Sequence, residues 1–390
     1  LDFTSLEARK HFCTEELRLN QRLTQDIYLE VLPITGDIST PQLQGEGPAI
    51  EYALKMRQFP QSGLLTELHQ RGELTSTHID ELASQIADFH IQTPRISQTH
   101  PLAQPNAIMA PVLQNFEQVR PLLSEESDLK QLDALQGWAE DSFARLRPLL
   151  EQRCANGSIR ECHGDIHLGN AALINGNVTL FDCIEFNEPF RFIDVACDAA
   201  FLAMDLEDRG LNALSNRFIN HWIEQADQYE CLPLLSFYKA YRAMVRAKVS
   251  LFRYTQEQNP LFLEQYRGYA ALAESYSAIP SRFLAITHGT SAIGKSTVAL
   301  QITEDLGSIR IRSDFERKRL FGEQNAELDG TLNKGIYSAQ AGAKTYQRIH
   351  QLAQLCLKAG FSAVIDATYL HNDSRQQARD IADSCGVPFF

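Results

Sequence analysis

Between residues 75 and 90 the chain reads TSTHIDELASQIADFH, and Ile79, Leu82, Ile86 and Phe89 recur at steps of three and four. That spacing lines one face of a helix and predicts an amphipathic element there. The same period predicts a helix in FTSLEARKHFCTEELRLNQRL, with Phe12, Cys13, Leu17, Leu19 and Leu23 on its apolar side and a capping box from Thr4 to Glu7. The pieces IYLEVLPI and AIEYALKMRQF that follow it read as strands. A long helical stretch from roughly Pro111 to Arg153 leads into a short hairpin, and more helix follows through FINHWIEQADQ and YKAYRAMVRAKVSLFRY. Beyond Pro280 the pattern becomes strand, helix, strand, starting with FLAIT. We therefore expect an α+β domain over residues 1–280 and an α/β domain with a parallel sheet over residues 281–390.

The hairpin sits inside HGDIHLGNAALINGNVTLFD, His163 to Asp182. Asn175-Gly176-Asn177 is a turn signal between two apolar runs. Folding about Gly176 places Asn170 opposite Asp182, with Cβ atoms roughly 5 Å apart. An amide oxygen and a carboxylate at that spacing can share one hard cation, and Asp165 lies on the loop just before. His163, His167 and Asp165 could instead begin a transition-metal site, although no third ligand stands at a comparable spacing. The joint pattern HxDxxxxN plus an exit acid suits phosphoryl transfer better. Asp165 would orient or deprotonate an attacking hydroxyl, while Asn170 and Asp182 would hold Mg²⁺ on a nucleotide triphosphate.

HGDIHLGN…LFDCIEF resembles the aminoglycoside phosphotransferase and choline-kinase branch of the protein-kinase-like fold, over roughly residues 1–280. The resemblance implies that Asp165 is the catalytic base, that Asn170 and Asp182 bind Mg²⁺, and that His163 braces the loop. Glu185 is a weaker candidate for the metal or substrate side, and Asp194 and Asp198 are expected to fix backbone in the following helix. The resemblance also implies a nucleotide-covering hairpin and a strand lysine paired with a helix glutamate. Glu16 is our choice for that glutamate, with Glu15 beside it, and Lys55 to Phe59 would form the hinge beside the adenine. Neither the hairpin nor the lysine strand is recognisable before the first helix. The chain is accordingly expected to be a fragment truncated at both ends, starting at Leu1 and stopping within GVPFF.

The second half carries GxxxxGK[ST] in full, as Gly289, Thr290, Ser291, Ala292, Ile293, Gly294, Lys295 and Ser296, followed by Thr297. The motif lies between an apolar strand and a helix expected to turn Val298, Ala299, Ile302 and Leu306 inward. There the loop N–H groups and the helix N-terminus can cradle phosphates, with Lys295 on the β- and γ-phosphates and Ser296 on Mg²⁺. Asp314 is expected just beyond one short strand and Asp366 at the end of another, where ligands of open α/β sheets bind. Asp366 suits the magnesium shell, Asp314 an acceptor's base, and Arg317 the transferring phosphate. This half resembles the small P-loop kinases related to polynucleotide kinase, zeta toxins and chloramphenicol phosphotransferase, grouped with AAA-type ATPase domains. PFF at residues 388–390 is expected to start the next strand, and further strands and an arginine-bearing lid to be missing. Taken whole, the chain resembles bacterial bifunctional aminoglycoside phosphotransferase/ATP-binding proteins.

A net charge of −13 offers no general attraction to nucleic acid or anionic membranes. Eight scattered cysteines without a close CxxC pair read as reduced thiols of a cytoplasmic protein. No apolar run reaches the roughly 18–20 residues of a membrane span. The leading expectation is an ATP- and Mg²⁺-dependent phosphotransferase with two nucleotide sites and a small-molecule acceptor. A regulatory ATPase switch and a nucleic-acid end kinase acting through the second half remain as alternatives.

Overall fold

The computed structural model of the chain describes residues 3–278, 280–322 and 335–390. It divides into two compact units, Leu1–Arg209 with Ser236–Tyr276 and Gly210–Leu235 with Ser277–Phe390.

The first unit opens with α1 (Leu6–Asn20), capped by Ser5, whose side chain accepts from the Ala8 N–H at 3.0 Å. The cap thus falls one residue after the expected Thr4. Strands β1 (Tyr28–Asp37), β2 (Thr40–Leu43) and β3 (Ala49–Met56) form an antiparallel sheet in the order β2-β1-β3. Helix α1 packs on β1 and β3. β2 was not foreseen, since its TPQL is exposed throughout and carries no alternation. A short helix α2 (Leu65–Gln70) precedes α3 (Ser76–Gln92), which buries Ile79, Leu82, Ile86 and Phe89 as its period requires.

The single helix expected from Pro111 to Arg153 is two. α4 (Pro105–Val119) runs into a 3₁₀ turn at Arg120–Leu122, and α5 (Glu126–Ala155) starts afresh. Pro121 sits in that turn and has no N–H with which to continue the helical ladder. β4 (Ile159–Glu161), the hairpin β5 (Ala171–Ile174) and β6 (Asn177–Leu180), α6 (Glu188–Arg191) and β7 (Phe192–Asp194) follow. α7 (Val195–Asp208) is buried from Val195 to Leu206. α8 (Asn212–Ala226) belongs to the second unit, an excursion that the local pattern does not mark. α9 (Leu235–Glu257) and α10 (Pro260–Ser275) complete the first unit, the latter packing on α5 through its buried face of Phe262, Tyr266, Ala270 and Ala273.

In the second unit, β8 (Leu284–Ile286), α11 (Lys295–Leu306), β9 (Ile309–Arg312), α12 (Ser313–Phe321), α13 (Ala339–Lys358), β10 (Ala363–Asp366) and α14 (Asn372–Cys385) build a parallel sheet in the order β8-β10-β9. β10 is central and buried at all four positions, the mark of a strand covered on both faces. Phe389 bridges in parallel to Leu284, and the Phe390 N–H donates to the Leu284 carbonyl at 2.9 Å, so PFF continues the sheet beside β8. α11 departs from its expected face: Val298 and Leu306 are exposed, while Ala299 and Thr303 are buried. Its inner side meets α8, where Asn220 donates to the Ser308 carbonyl at 3.0 Å and accepts from the Arg310 N–H at 2.7 Å.

Candidate active site

The hairpin register pairs Ala171 with Leu180 and Ile174 with Asn177, leaving a two-residue turn at Asn175 (φ 53°) and Gly176 (φ 83°). Both residues are left-handed, the geometry that Asn-Gly favours. The centre therefore lies half a residue earlier than expected. Asn170 faces Phe181, whose N–H donates to the Asn170 carbonyl at 3.1 Å, and Asp182 lies one position beyond. A one-residue shift reverses the side-chain face in a regular strand. Asp182 escapes the strand geometry by adopting φ 69°, a strained state for a non-glycine residue that clusters at functional positions. Its N–H donates to the Tyr28 hydroxyl at 3.1 Å.

The loop before the hairpin is held from beneath. Asp198 accepts from the N–H groups of His163 (3.0 Å) and Gly164 (2.9 Å) and meets His90 at 3.1 Å. Asp198 thus fixes the loop rather than its own helix, while Asp194 caps α7 through the Ala196 N–H at 2.8 Å. His163 is fully buried; its Nε2 lies 2.9 Å from the Phe181 carbonyl and its Nδ1 accepts from the Asp165 N–H at 3.3 Å. Those partners engage both ring nitrogens, so neither is free to ligate a metal. The transition-metal alternative loses its first ligand.

Asn170 donates from Nδ2 to the Asp165 carbonyl and to its Oδ2, both at 3.1 Å, and the His167 Nε2 stands 3.4 Å from the same Oδ2. Burial alone would raise the Asp165 carboxyl. His167, His163 and Arg242 outweigh it and hold the group below its ordinary range. Asp182 behaves oppositely: burial raises it, the Asp165 charge adds to the rise, and His163 and His167 offset only part. Burial and the charges of Glu185 and Asp182 push Glu16 up to about 7. Glu15 is instead tied to Arg18 at 2.8 Å and to Arg191 at 3.5 Å. Of the two candidate glutamates, only Glu16 faces the acids. Glu185 is raised by burial, with the Asp182 charge adding to it.

These mutually repelling oxygens fit a hard dication. Magnesium takes oxygen ligands, and no donor among the described residues engages the Asn170 Oδ1. Phe59, at the end of the expected hinge, lies 5.3 Å from the Phe181 ring, beside Asp182, whereas Lys55 points to Glu30 at 2.8 Å. Asp165, Asp182 and Glu185 line a cleft of about 310 Å³ closed by Phe186, Phe190 and side chains of α4 and α9. Sequence reasoning missed Tyr28, Asn115 and Arg242, all drawn in from distant elements with no local motif to flag them.

In the second unit, Gly289 (φ 130°), Ala292 (φ 67°) and Gly294 (φ 89°) curl the loop between β8 and α11. Left-handed residues alternating with ordinary ones form concavities lined by N–H groups, and the N-terminus of α11 lies at the end of this one. Lys295 folds back to the Thr290 carbonyl at 2.5 Å. Asp366 ends the central strand, 7% exposed and without an ion pair among the described residues. Its neighbour β8 leads directly into the loop, so the oxygen donors of Ser296 and Asp366 suit a magnesium ion there. Asp314 lies in the first turn of α12, largely exposed and 3.3 Å from Lys318. Arg317 stacks on Tyr337, 5.1 Å from the ring centroid.

Residues 29–235, more than half of the chain, match the model of a phosphotransferase enzyme family, and residues 284–390 match that of an AAA domain. Uncharacterized proteins of Mycobacterium tuberculosis (strain H37Rv) and Mycobacterium bovis are 28% identical over 383 residues, spanning 98% of this chain and 75% of theirs. Among solved structures, an ethanolamine kinase from Plasmodium vivax is similar at a TM-score of 0.42 and 11% identity, covering 69% of this chain and 72% of that one. A choline kinase from Cryptosporidium parvum gives 0.39 and 14%, covering 59% and 72%. By the family models, an α+β phosphotransferase-family domain is followed by an AAA-type domain with a parallel sheet.

Proposed function

The chain belongs to the phosphotransferase enzyme family, and from that premise we propose that it moves the γ-phosphoryl group of ATP to a hydroxyl of a small molecule in the cleft of residues 1–280. The observation that carries this reading is the pair of carboxylates on one cleft wall, Asp165 held low and Asp182 pushed high. A carboxylate that stays ionised, with its Oδ2 fixed by Asn170, is suited to take the proton of an attacking hydroxyl. Asp182, the Asn170 Oδ1 and secondarily Glu185 would hold Mg²⁺, which supplies charge neutralisation on the phosphates when bound. The acceptor oxygen bonds to the γ-phosphorus, the bond from that phosphorus to the β–γ bridging oxygen breaks, the proton passes to Asp165, and ADP leaves. Glu16 would pair with a cation near the phosphates.

In residues 281–390, the loop from Gly289 to Thr297 would bind a second nucleotide. Lys295 would swing from Thr290 to the phosphates, with Ser296 and Asp366 on magnesium, Arg317 on the transferring phosphate and Asp314 as base. No described helix is long and apolar enough to cross a membrane, and all eight cysteines are free thiols, which supports a cytoplasmic setting. The test is transfer from γ-labelled ATP to a panel of alcohols by the full-length protein. Loss of transfer in Asp165→Asn with ATP binding retained supports the reading; transfer unaffected by that change refutes it.

A further inference from the structure

The cleft beside Asp165 has a second wall, and its chemistry points to the acceptor; this inference rests on the phosphotransferase reading above. Asn115 on α4 and Arg242 on α9 line that wall at 2% and 3% exposure. Arg242 donates from Nη1 to the Gly164 carbonyl at 3.1 Å and from Nε to the Cys197 carbonyl at 3.4 Å. Its Nη2, however, has no partner, and neither has the Asn115 Nδ2. A buried donor left unpaired costs about 1–3 kcal/mol, so two on one cleft wall need an explanation. Lys248, six residues further along α9, lines the same cleft half-buried. Among the described residues no carboxylate pairs with it, and burial alone lowers its ammonium from the usual range.

Two unpaired buried donors and one half-buried ammonium therefore belong to residues that line one cleft, and two of these three side chains are cationic. Two of the aromatic rings there are already engaged by a cation: the faces of Phe201 and Tyr241 are covered by the Arg242 guanidinium, at 4.8 and 5.2 Å. At about 310 Å³ the cleft is at the small end of ligand sites. We propose that the phosphate acceptor is a small hydroxy acid, its hydroxyl presented to Asp165 and its carboxylate received by Lys248, Asn115 and Arg242. Asp165, Asp182 and Glu185 line the same cleft, so such a molecule would meet both signs of charge there.

The experiment compares glycerate, erythronate and gluconate with glycerol, erythritol and glucitol, and with choline and kanamycin A, in transfer from γ-labelled ATP by the full-length protein. The acids are expected to exceed their polyol counterparts in kcat/KM by about 10- to 100-fold, the worth of a charge-assisted hydrogen bond. Lys248→Gln is expected to collapse that ratio through KM, and Lys248→Arg to restore part of it. Polyols, choline or kanamycin A turned over as well as the acids, or a ratio indifferent to Lys248→Gln, would overturn the inference while leaving the phosphotransferase reading intact. Should nothing in the panel be phosphorylated, calorimetry of gluconate against the protein with Mg²⁺ and ADP decides. Binding weakened about 10-fold by Lys248→Gln supports the inference; no binding, or binding unchanged by it, overturns it. Failure of the underlying reading shows elsewhere, as turnover that Asp165→Asn does not alter.

Discussion

The two candidate nucleotide sites are built in opposite ways. In the second unit, one continuous loop from Gly289 to Ser296 carries most of the site, shaped by its own left-handed residues. In the first unit, the site exists only where distant segments meet: Asn20 of α1 accepts from the Cys183 N–H at 2.9 Å, and Tyr28 of β1 from the Asp182 N–H. The electrostatics differ likewise. Burial raises Glu16, Asp182 and Glu185, with Glu185 and Asp182 adding to the rise at Glu16, Asp165 to that at Asp182 and Asp182 to that at Glu185, whereas Asp314 is paired on the surface with Lys318. A local loop can be assembled by backbone conformation alone. A distributed site depends on the buried groups that hold its pieces in register.

The sharpest break of this comparison is Asp165→Asn, measured in a protein whose second site is silenced. Transfer at the first site should fall about 10²- to 10⁴-fold, the usual worth of a positioned base, with nucleotide affinity kept. Arg153→Met comes next. Arg153 and Asp194 form a buried bidentate pair at 2.6 and 2.7 Å. Stranding the carboxylate should cost about 3–5 kcal/mol, read as a lower denaturant midpoint for the unit holding the distributed site. A midpoint equal to wild type would mean that this bridge does not anchor it. Lys295→Ala should weaken nucleotide binding at the second site about 10- to 100-fold by removing a charge-assisted contact. Equal losses at both sites would show that they are coupled.

The smallest effect tests the acids directly. Glu16 titrates at about 7 in the folded chain, above the ordinary 4.5. The folded state therefore binds this proton more tightly, and its contribution to stability is lost as pH rises from about 4.5 through 7. Glu16→Gln removes the buried charge, so the variant should be more stable than wild type at pH 8 and equal to it below pH 4.5. Thermal melts at the two pH values check this, and a variant less stable at pH 8 would place Glu16 in a favourable ion pair.

What the sequence by itself determined follows from locality. The strand and helix on either side of the loop at residues 287–294, the helix over residues 76–92 and the Asn-Gly turn were legible because short-range backbone preference and apolar periodicity govern them. The turn's register was misplaced because a two-residue and a three-residue reading of Asn175-Gly176-Asn177 differ only in which residue begins the strand. The exposed faces of Val298 and Leu306, and the grouping of α8 with the second unit, were decided by packing that no local period encodes. The cleft's second wall is of the same kind. Asn115, Arg242 and Lys248 stand on two helices in patterns ordinary for helix surfaces, and only the packing of α4 and α9 beside the loop that carries Asp165 brings them to one cleft and leaves the Asn115 Nδ2 and the Arg242 Nη2 unpaired.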